Sequence, residues 1–181
     1  MTPASVCDAF GEAARDRAWL VCPSGNSTCY GAPDWHGAAG VKASFLEAAL
    51  DKVTSRLAPF VDERPGVLIG WSRGAFAARD ILYVSQTDAK HAALAKRFQG
   101  LVLLAAHVTP EAAKLRAAGI TRVVMGAGDL DGSRPTMQAA VVALNKAGIV
   151  ARYVSLGPIA HVWPDDFEQR MKAHIDWAAG E

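Results

Sequence analysis

Short apolar runs alternate with amphipathic helical patterns along this chain, and that alternation is what most constrains its fold. The runs are nearly continuous in apolar residues, which is typical of strands that are covered on both faces in a parallel sheet. The alternation indicates a three-layer α/β/α fold with right-handed crossovers and a mostly parallel sheet of about five strands. The predicted strands are 18–22, 66–70, 101–105, 121–126 and 150–155.

Apolar residues at three- and four-residue intervals predict the helices between these strands. Proline suits the first turn of a helix and glycine suits the position just after its end, so Pro135 and Gly148 mark one helix and Pro164 opens another. The predicted helices are 5–15, 43–58, an alanine-rich helix after Gly74, 135–147 and 164–178. The longest irregular stretch, 23–40, follows a predicted strand, at the edge where open α/β sheets bind ligands.

Composition predicts a single globular domain over 1–181, and the sequence argues against a nucleic acid, a membrane span, a metal and a cofactor. The net charge is +1, and no dense Lys/Arg stripe occurs, so a nucleic acid is not expected. The longest apolar runs, such as 101–108, are too short to cross a bilayer, and the first residues contain no apolar signal core. Because the sequence has no zinc or nucleotide-phosphate motif, neither a metal nor a cofactor is expected.

The three cysteines, Cys7, Cys22 and Cys29, match no metal-binding spacing. We favour three unpaired, at least half-buried thiols, because an odd number argues against a complete disulfide framework. The alternative is a Cys22–Cys29 disulfide, which would indicate an exported protein. Without a Cys22–Cys29 disulfide, we take the cytoplasm as the default compartment.

A serine lies between two glycines where a predicted strand gives way to a predicted helix. Residues 70–74 read GWSRG, which has the form G-x-S-x-G. A serine at such a turn is pushed toward strained dihedral angles, and large flanking side chains would collide across the turn, so both flanking residues are expected to be small. The hydroxyl of Ser72 would stand at the helix start, and the Arg73 N–H would point to where an oxyanion forms. The alternative is an ordinary Gly/Ser turn.

At this motif the sequence resembles the α/β-hydrolase superfamily, in particular its small carboxylesterases, acyl-protein thioesterases and dienelactone hydrolases. The resemblance implies a catalytic order Ser, Asp, His with Ser72 as nucleophile, an ester or thioester as the small-molecule substrate, and no cofactor. Asp129 fits the family's G-x-x-D spacing after the fourth predicted strand, with Asp131 as the alternative acid; either one is otherwise a turn residue. His161, after the last strand, would accept the serine proton.

The other four histidines fit the catalytic position less well. His174 lies near the apolar face of the last predicted helix and is expected to be structural. His91 lies in a charged stretch and is expected to be solvated. His107 follows a strand and could reach the pocket, whereas His36 is carried by the long loop, which can fold over Ser72 and bring it to the substrate.

Several aromatic side chains near these motifs are candidates for the walls of a pocket, although each can equally be core packing. Trp71 and Trp163 are close in sequence to Ser72 and His161, and the loop 23–40 carries further aromatic residues. The candidate wall residues are Trp71, His107, Trp163, Tyr30 and Trp35.

The sequence departs from the family at its start, where the family has a further strand followed by a His-Gly oxyanion loop. We therefore expect sequence upstream, with Met1 or Thr2 close to Ser72, and the second oxyanion donor stays unassigned. Without that strand, either 18–22 pairs directly with 66–70, or an open edge remains that a homodimer could cover. The alternatives to a serine esterase are a non-catalytic binding domain of the same fold and, third, a serine peptidase.

Overall fold

Helices and strands alternate along the chain, as the sequence predicts. The computed structural model describes residues 3–14, 18–29, 31–61 and 64–181. In chain order the elements are α1 (Pro3–Ala14), β1 (Ser27–Cys29), β2 (Ala32–Asp34), α2 (Ala39–Leu57), β3 (Gly66–Trp71), α3 (Arg73–Thr87), α4 (Ala92–Ala95), β4 (Phe98–Leu104), α5 (Ala112–Ala117), β5 (Arg122–Ala127), α6 (Arg134–Lys146), β6 (Val150–Ser155) and α7 (Phe167–Ala179). None of the helices in these ranges is long and apolar enough to cross a membrane.

The four long strands form one parallel sheet in the order β3–β4–β5–β6. Nearly all side chains of the two central strands, β4 and β5, are buried, because helices cover both faces of the sheet. The predicted three-layer α/β/α fold is therefore confirmed, with four strands in its sheet.

Two apolar cores lie on opposite faces of this sheet. Leu103 and Leu104 are neighbours on β4 and point to different cores, because side chains alternate along a strand. Helices α2 to α6 contribute to the core of Leu103, whereas α1 and α7 contribute Phe10 and Met171 to the core of Leu104. The carboxyl ends of the strands consequently lie between two fixed layers of helices.

Residues 18–22 do not form a strand, so that prediction is wrong. The segment is irregular, and Leu20 packs partly against the core that α1 and α7 cover. A strand needs a neighbour for its backbone N–H and C=O groups, and in the described parts of the chain no strand pairs with the outer edge of β3. Of the two alternatives for this edge, the pairing of 18–22 with 66–70 is absent, and the edge is open in the parts of the chain that the structure describes. Met1 and Thr2 lie outside the described residues.

A disulfide joins Cys7 on α1 to Cys22, and Cys29 is a free, half-buried thiol. Both interpretations of the cysteines are therefore wrong about the pairing. The reason is that 18–22 does not enter the sheet, so Cys22 comes to a Cα–Cα distance of 5.8 Å from Cys7. The bridge ties α1 to the segment that follows it.

Two further differences concern local structure. The predicted loop 23–40 contains a short antiparallel hairpin of β1 and β2, in which Ser27 pairs with Asp34. Helix α7 begins at Phe167 rather than at Pro164, so the segment between β6 and α7 is longer than predicted.

Candidate active site

Ser72 occupies the tight turn at which β3 ends and α3 begins. Its backbone has φ 51° and ψ −117°, a combination that a residue with a side chain rarely adopts. The Ser72 N–H donates a hydrogen bond of 2.8 Å to the carbonyl of Leu104 on the neighbouring strand. The strained strand-to-helix turn that GWSRG predicts is therefore present, and it is anchored to the sheet.

Only one of the two flanking glycines is sterically required. A Cβ on Gly70 would lie 2.4 Å from the carbonyl oxygen of Gly74, whereas a Cβ on Gly74 would meet no atom within 4 Å. The expectation that both flanking residues must be small holds strictly at Gly70, where no Cβ fits, whereas the space around a Cβ at Gly74 does not require it.

Three side chains from three different loops form a hydrogen-bonded chain at the carboxyl edge of the sheet. His161, in the segment after β6, has its Nε2 2.9 Å from the Oγ of Ser72. Its Nδ1 lies 2.8 Å from Oδ2 of Asp131, which precedes α6. The imidazole is half exposed, at 52%, and the Asp131 carboxylate is buried, at 4%. The arrangement joins a hydroxyl, an imidazole and a buried carboxylate in one line.

The surroundings of Asp131 favour its ionised form. Burial alone would raise its pKa, but hydrogen bonds from the backbone N–H and the hydroxyl of Ser133, together with His161, outweigh burial and lower the pKa below its ordinary value. Both Ser133 bonds go to Oδ1 at 2.8 Å, so Oδ2 remains for the imidazole. The motif Asp-Gly-Ser forms an Asx turn ahead of a helix, a local signal in the sequence that could have distinguished Asp131 from Asp129.

Asp129, the acid favoured from family spacing, does not contact His161. Its Oδ1 accepts a hydrogen bond of 2.8 Å from the Ser155 hydroxyl, and the Arg134 guanidinium lies 3.5 Å away. The Asp129 N–H donates to the carbonyl of Gly157, which fixes this residue against the segment after β6. The predicted pairing of Asp129 with His161 is therefore wrong, because the chain turns inward only two residues later.

The backbone and the side chain of Arg73 have different places in the site. As the first residue of α3, its N–H lies in the first turn of the helix, where no preceding helical carbonyl can accept it. Its guanidinium forms an ion pair with the buried carboxylate of Asp34 on β2, and Asp34 also accepts a hydrogen bond from the Trp35 N–H. The hairpin is thus attached to the Ser72 turn, a contact that sequence analysis missed.

The remaining histidines have other surroundings. His91 is buried, at 1% exposure, and its Nδ1 lies 2.7 Å from a Glu47 carboxylate oxygen, so the prediction that it is solvated is wrong. The pKa of His174 is lowered, because it is partly buried and faces the charge of Arg152. His107 lies 3.2 Å from the hydroxyl of Thr136.

The residues of the long loop have other partners. His36 is held through its backbone N–H, which donates to the side-chain oxygen of Asn26. Trp35 packs edge-on against Phe45 of α2, and Tyr30 lies outside the described residues. Within the parts of the chain that the structure describes, no group of three or more His, Cys, Asp or Glu side chains is placed to hold a metal ion.

The parallel sheet between helical layers, with a serine at a strained strand-to-helix turn, is the architecture of an α/β-hydrolase. Solved structures with this architecture match the chain. A carboxylesterase of Bacillus cereus is 18% identical, with a TM-score of 0.68, and the match covers 98% of this chain and 84% of that one. A carboxylesterase from Mesorhizobium loti is 16% identical, with a TM-score of 0.66, and the match covers 100% of this chain and 84% of that one. Arabidopsis thaliana SOBER1 also matches, with 11% identity and a TM-score of 0.57, over 98% of this chain and 93% of that one. No protein-family model matches the sequence, and no curated protein matches it significantly. This protein has the α/β-hydrolase fold, and the resemblance noted from the sequence is confirmed at that level.

Proposed function

We propose that this protein is a serine hydrolase that cleaves a carboxylic ester or a thioester through an acyl-enzyme intermediate. The observation that carries the proposal is the pair of hydrogen bonds from Ser72 to His161 and from His161 to Asp131. Ser72 is the nucleophile, His161 the general acid and base, and Asp131 the group that orients the imidazole. Asp131 replaces Asp129 in this role.

The proposed reaction uses these two contacts in turn. The Ser72 oxygen attacks the acyl carbon while Nε2 of His161 takes its proton, and Asp131 stabilises the imidazolium that forms. The Arg73 N–H donates to the oxyanion of the tetrahedral intermediate. When that intermediate collapses, His161 returns the proton to the departing alcohol or thiol, and the acyl group stays on Ser72. Water, deprotonated by His161, then attacks the acyl carbon. When this second tetrahedral intermediate collapses, the bond from the acyl carbon to the Ser72 oxygen breaks, His161 returns the proton to that oxygen, and the acid is released.

An ester or thioester is favoured over a peptide by the names of two structural neighbours, which are carboxylesterases. A panel of p-nitrophenyl esters, acyl thioesters and p-nitroanilides tests this choice. We expect turnover of the first two classes and little of the third. Preferential turnover of the anilides would assign a peptidase instead.

A fluorophosphonate probe followed by intact-mass measurement tests the central claim. The wild-type protein is expected to gain one adduct, and Ser72→Ala none. The matched control, Ser55→Ala, changes an exposed serine on α2 whose hydroxyl donates to the nearby Lys52 carbonyl, and it should be labelled like the wild type.

The same variants are expected to differ in esterase activity. Ser72→Ala should lose at least about 10³-fold in activity while its melting temperature stays unchanged. Labelling at another serine, or full activity in Ser72→Ala, would overturn the proposal. A folded wild-type protein that neither reacts with the probe nor turns over any ester would favour the non-catalytic alternative.

A further inference from the structure

The neighbours of Ser72 and His161 in the chain are joined by a direct ring contact. Trp71, the last residue of β3, immediately precedes Ser72, and Trp163 follows His161 by two residues. The two indole rings are stacked, with centroids 4.0 Å apart and an angle of 22° between planes. The contact therefore connects the turn that carries the nucleophile to the segment that carries the base.

Trp71 also contacts His161 itself, with ring centroids 5.8 Å apart and an angle of 49°. The stack is supported from behind by two phenylalanines. Phe167 meets Trp163 edge-on at 4.3 Å, and Phe10 of α1 meets it edge-on at 5.7 Å. Edge-on and offset-stacked contacts are the favoured geometries of aromatic pairs, so the four rings form a fixed cluster.

Few of the described backbone hydrogen bonds hold the segment that carries His161 to the rest of the fold. Its backbone carbonyls at Gly157 and Ile159 accept hydrogen bonds from Asp129 and Leu130, and the next backbone bond, from Val162 to Ala160, is local. The His161 imidazole is half exposed. Its Nδ1 is bonded to Asp131, and its Nε2 is bonded to the Ser72 hydroxyl, which is itself the reacting group. The ring of Trp71 lies beside the imidazole, where it limits the tilt of the ring.

We propose that Trp71 is a positioning residue that holds the His161 imidazole where Nε2 reaches the Ser72 hydroxyl, and that Trp163 keeps Trp71 in place by stacking on it. This inference rests on the proposed function. Trp71 acts through His161 and not through the substrate, so its loss lowers kcat and leaves KM nearly unchanged. Small misplacements of a reacting group are costly, because catalysis depends on the geometry of attack.

The test compares Trp71→Leu and Trp71→Phe with Trp177→Leu as a matched control. Trp177 packs partly into the same core but lies beside Arg122 and Arg152, away from His161. We expect Trp71→Leu to lower kcat for a p-nitrophenyl ester by about tenfold or more, with KM within about threefold. Trp71→Phe keeps an aromatic face and is expected to restore most of kcat, and Trp177→Leu to leave it unchanged.

A second measurement is independent of turnover. The proton shared by His161 and Asp131 is expected to give a downfield proton NMR signal in the wild type, in Trp177→Leu and in Trp71→Phe, and to be broadened or lost in Trp71→Leu. If Trp71→Leu does not fold, Trp163→Leu takes its place with the same expected results.

Unchanged kcat and an unchanged signal in the leucine variant, or an equal loss in Trp177→Leu, would overturn the inference. The two proposals fail separately. A wild-type protein that the fluorophosphonate does not label at Ser72 refutes the proposed function, whereas a labelled wild type with an unaffected Trp71→Leu variant refutes only the role of Trp71.

Discussion

At the residue scale, the two carboxylates before α6 differ in what they touch. Asp131 is buried and bonded to His161, whereas Asp129 is one-third exposed and bonded to Ser155. In a buried position a carboxylate interacts strongly with an imidazolium, because little water screens the charge. Asp131 is therefore the residue whose charge matters for the proposed chemistry.

Exchanging each acid for its amide separates the two roles. Asp131→Asn is expected to lower kcat/KM by about 10⁴-fold, because an amide favours the wrong tautomer of the imidazole. Asp129→Asn keeps an oxygen for the Ser155 hydroxyl and should stay within about threefold of the wild type. Ester hydrolysis by the two purified variants measures this, and the reverse order would return the role to Asp129.

The lowered pKa of Asp131 links its hydrogen bonds to the acid stability of the protein. Because the pKa of Asp131 is lower in the folded protein than its ordinary value of 3.8, the carboxylate raises the free energy of unfolding at pH values above 3.8. This stabilisation is lost as the pH falls through the lowered pKa. Ser133→Ala removes the hydroxyl donor, so we expect a smaller free energy of unfolding near neutral pH and a smaller further loss below about pH 4. Urea unfolding at both pH values measures the difference. If acid lowered the free energy of unfolding of Ser133→Ala as much as that of the wild type, the role of the Ser133 hydroxyl would be contradicted.

At the element scale, the connection from β3 to α3 depends on the close approach of Gly70 to the carbonyl of Gly74. We expect Gly70→Ala to destabilise the protein by about 1–3 kcal/mol, the usual cost of overpacking. Gly74→Ala, at a helical position with open space, should leave the midpoint of thermal unfolding unchanged or higher. Equal melting temperatures for the two variants would show that the turn relaxes to admit the methyl group.

The same element shows how far sequence reasoning reaches. The pattern of 66–82 predicted the strand, the strained serine and the helix, because each is determined by residues next to one another in the chain. The carboxylate that bonds to His161 was placed in the right loop but assigned to Asp129 instead of Asp131, since a turn of two residues decides which side chain faces inward. The run at 18–22 was misread because a strand also depends on a neighbour, which its own apolar residues cannot provide. The ion pair of Arg73 with Asp34 joins distant segments and left no local signal.

At the scale of the whole molecule, the Cys7–Cys22 disulfide anchors α1, which carries Phe10 of the aromatic cluster. A cross-link that closes a loop of about 15 residues stabilises a protein by about 3 kcal/mol in the chain-entropy account. Replacing both Cys7 and Cys22 by Ser is therefore expected to lower the free energy of unfolding by about that amount in urea. The matched control, Cys29→Ser, changes the free thiol and should have little effect. A native protein with three titratable thiols would contradict the pairing.

The open outer edge of β3 has a consequence for the exchange of amide protons with solvent. In a parallel pair, alternate residues of a strand bond to the neighbour, and the Ser72 N–H bonds to β4, so the N–H groups of Val67, Ile69 and Trp71 face away from the sheet. In deuterated solvent these three amides should exchange before those of Leu68 and Gly70, in an every-other-residue pattern that β4 and β5 lack. Among the described residues, the strand that ends at Ser72 is thus hydrogen-bonded to another strand along only one side, so its local opening should require less free energy than the opening of β4 or β5.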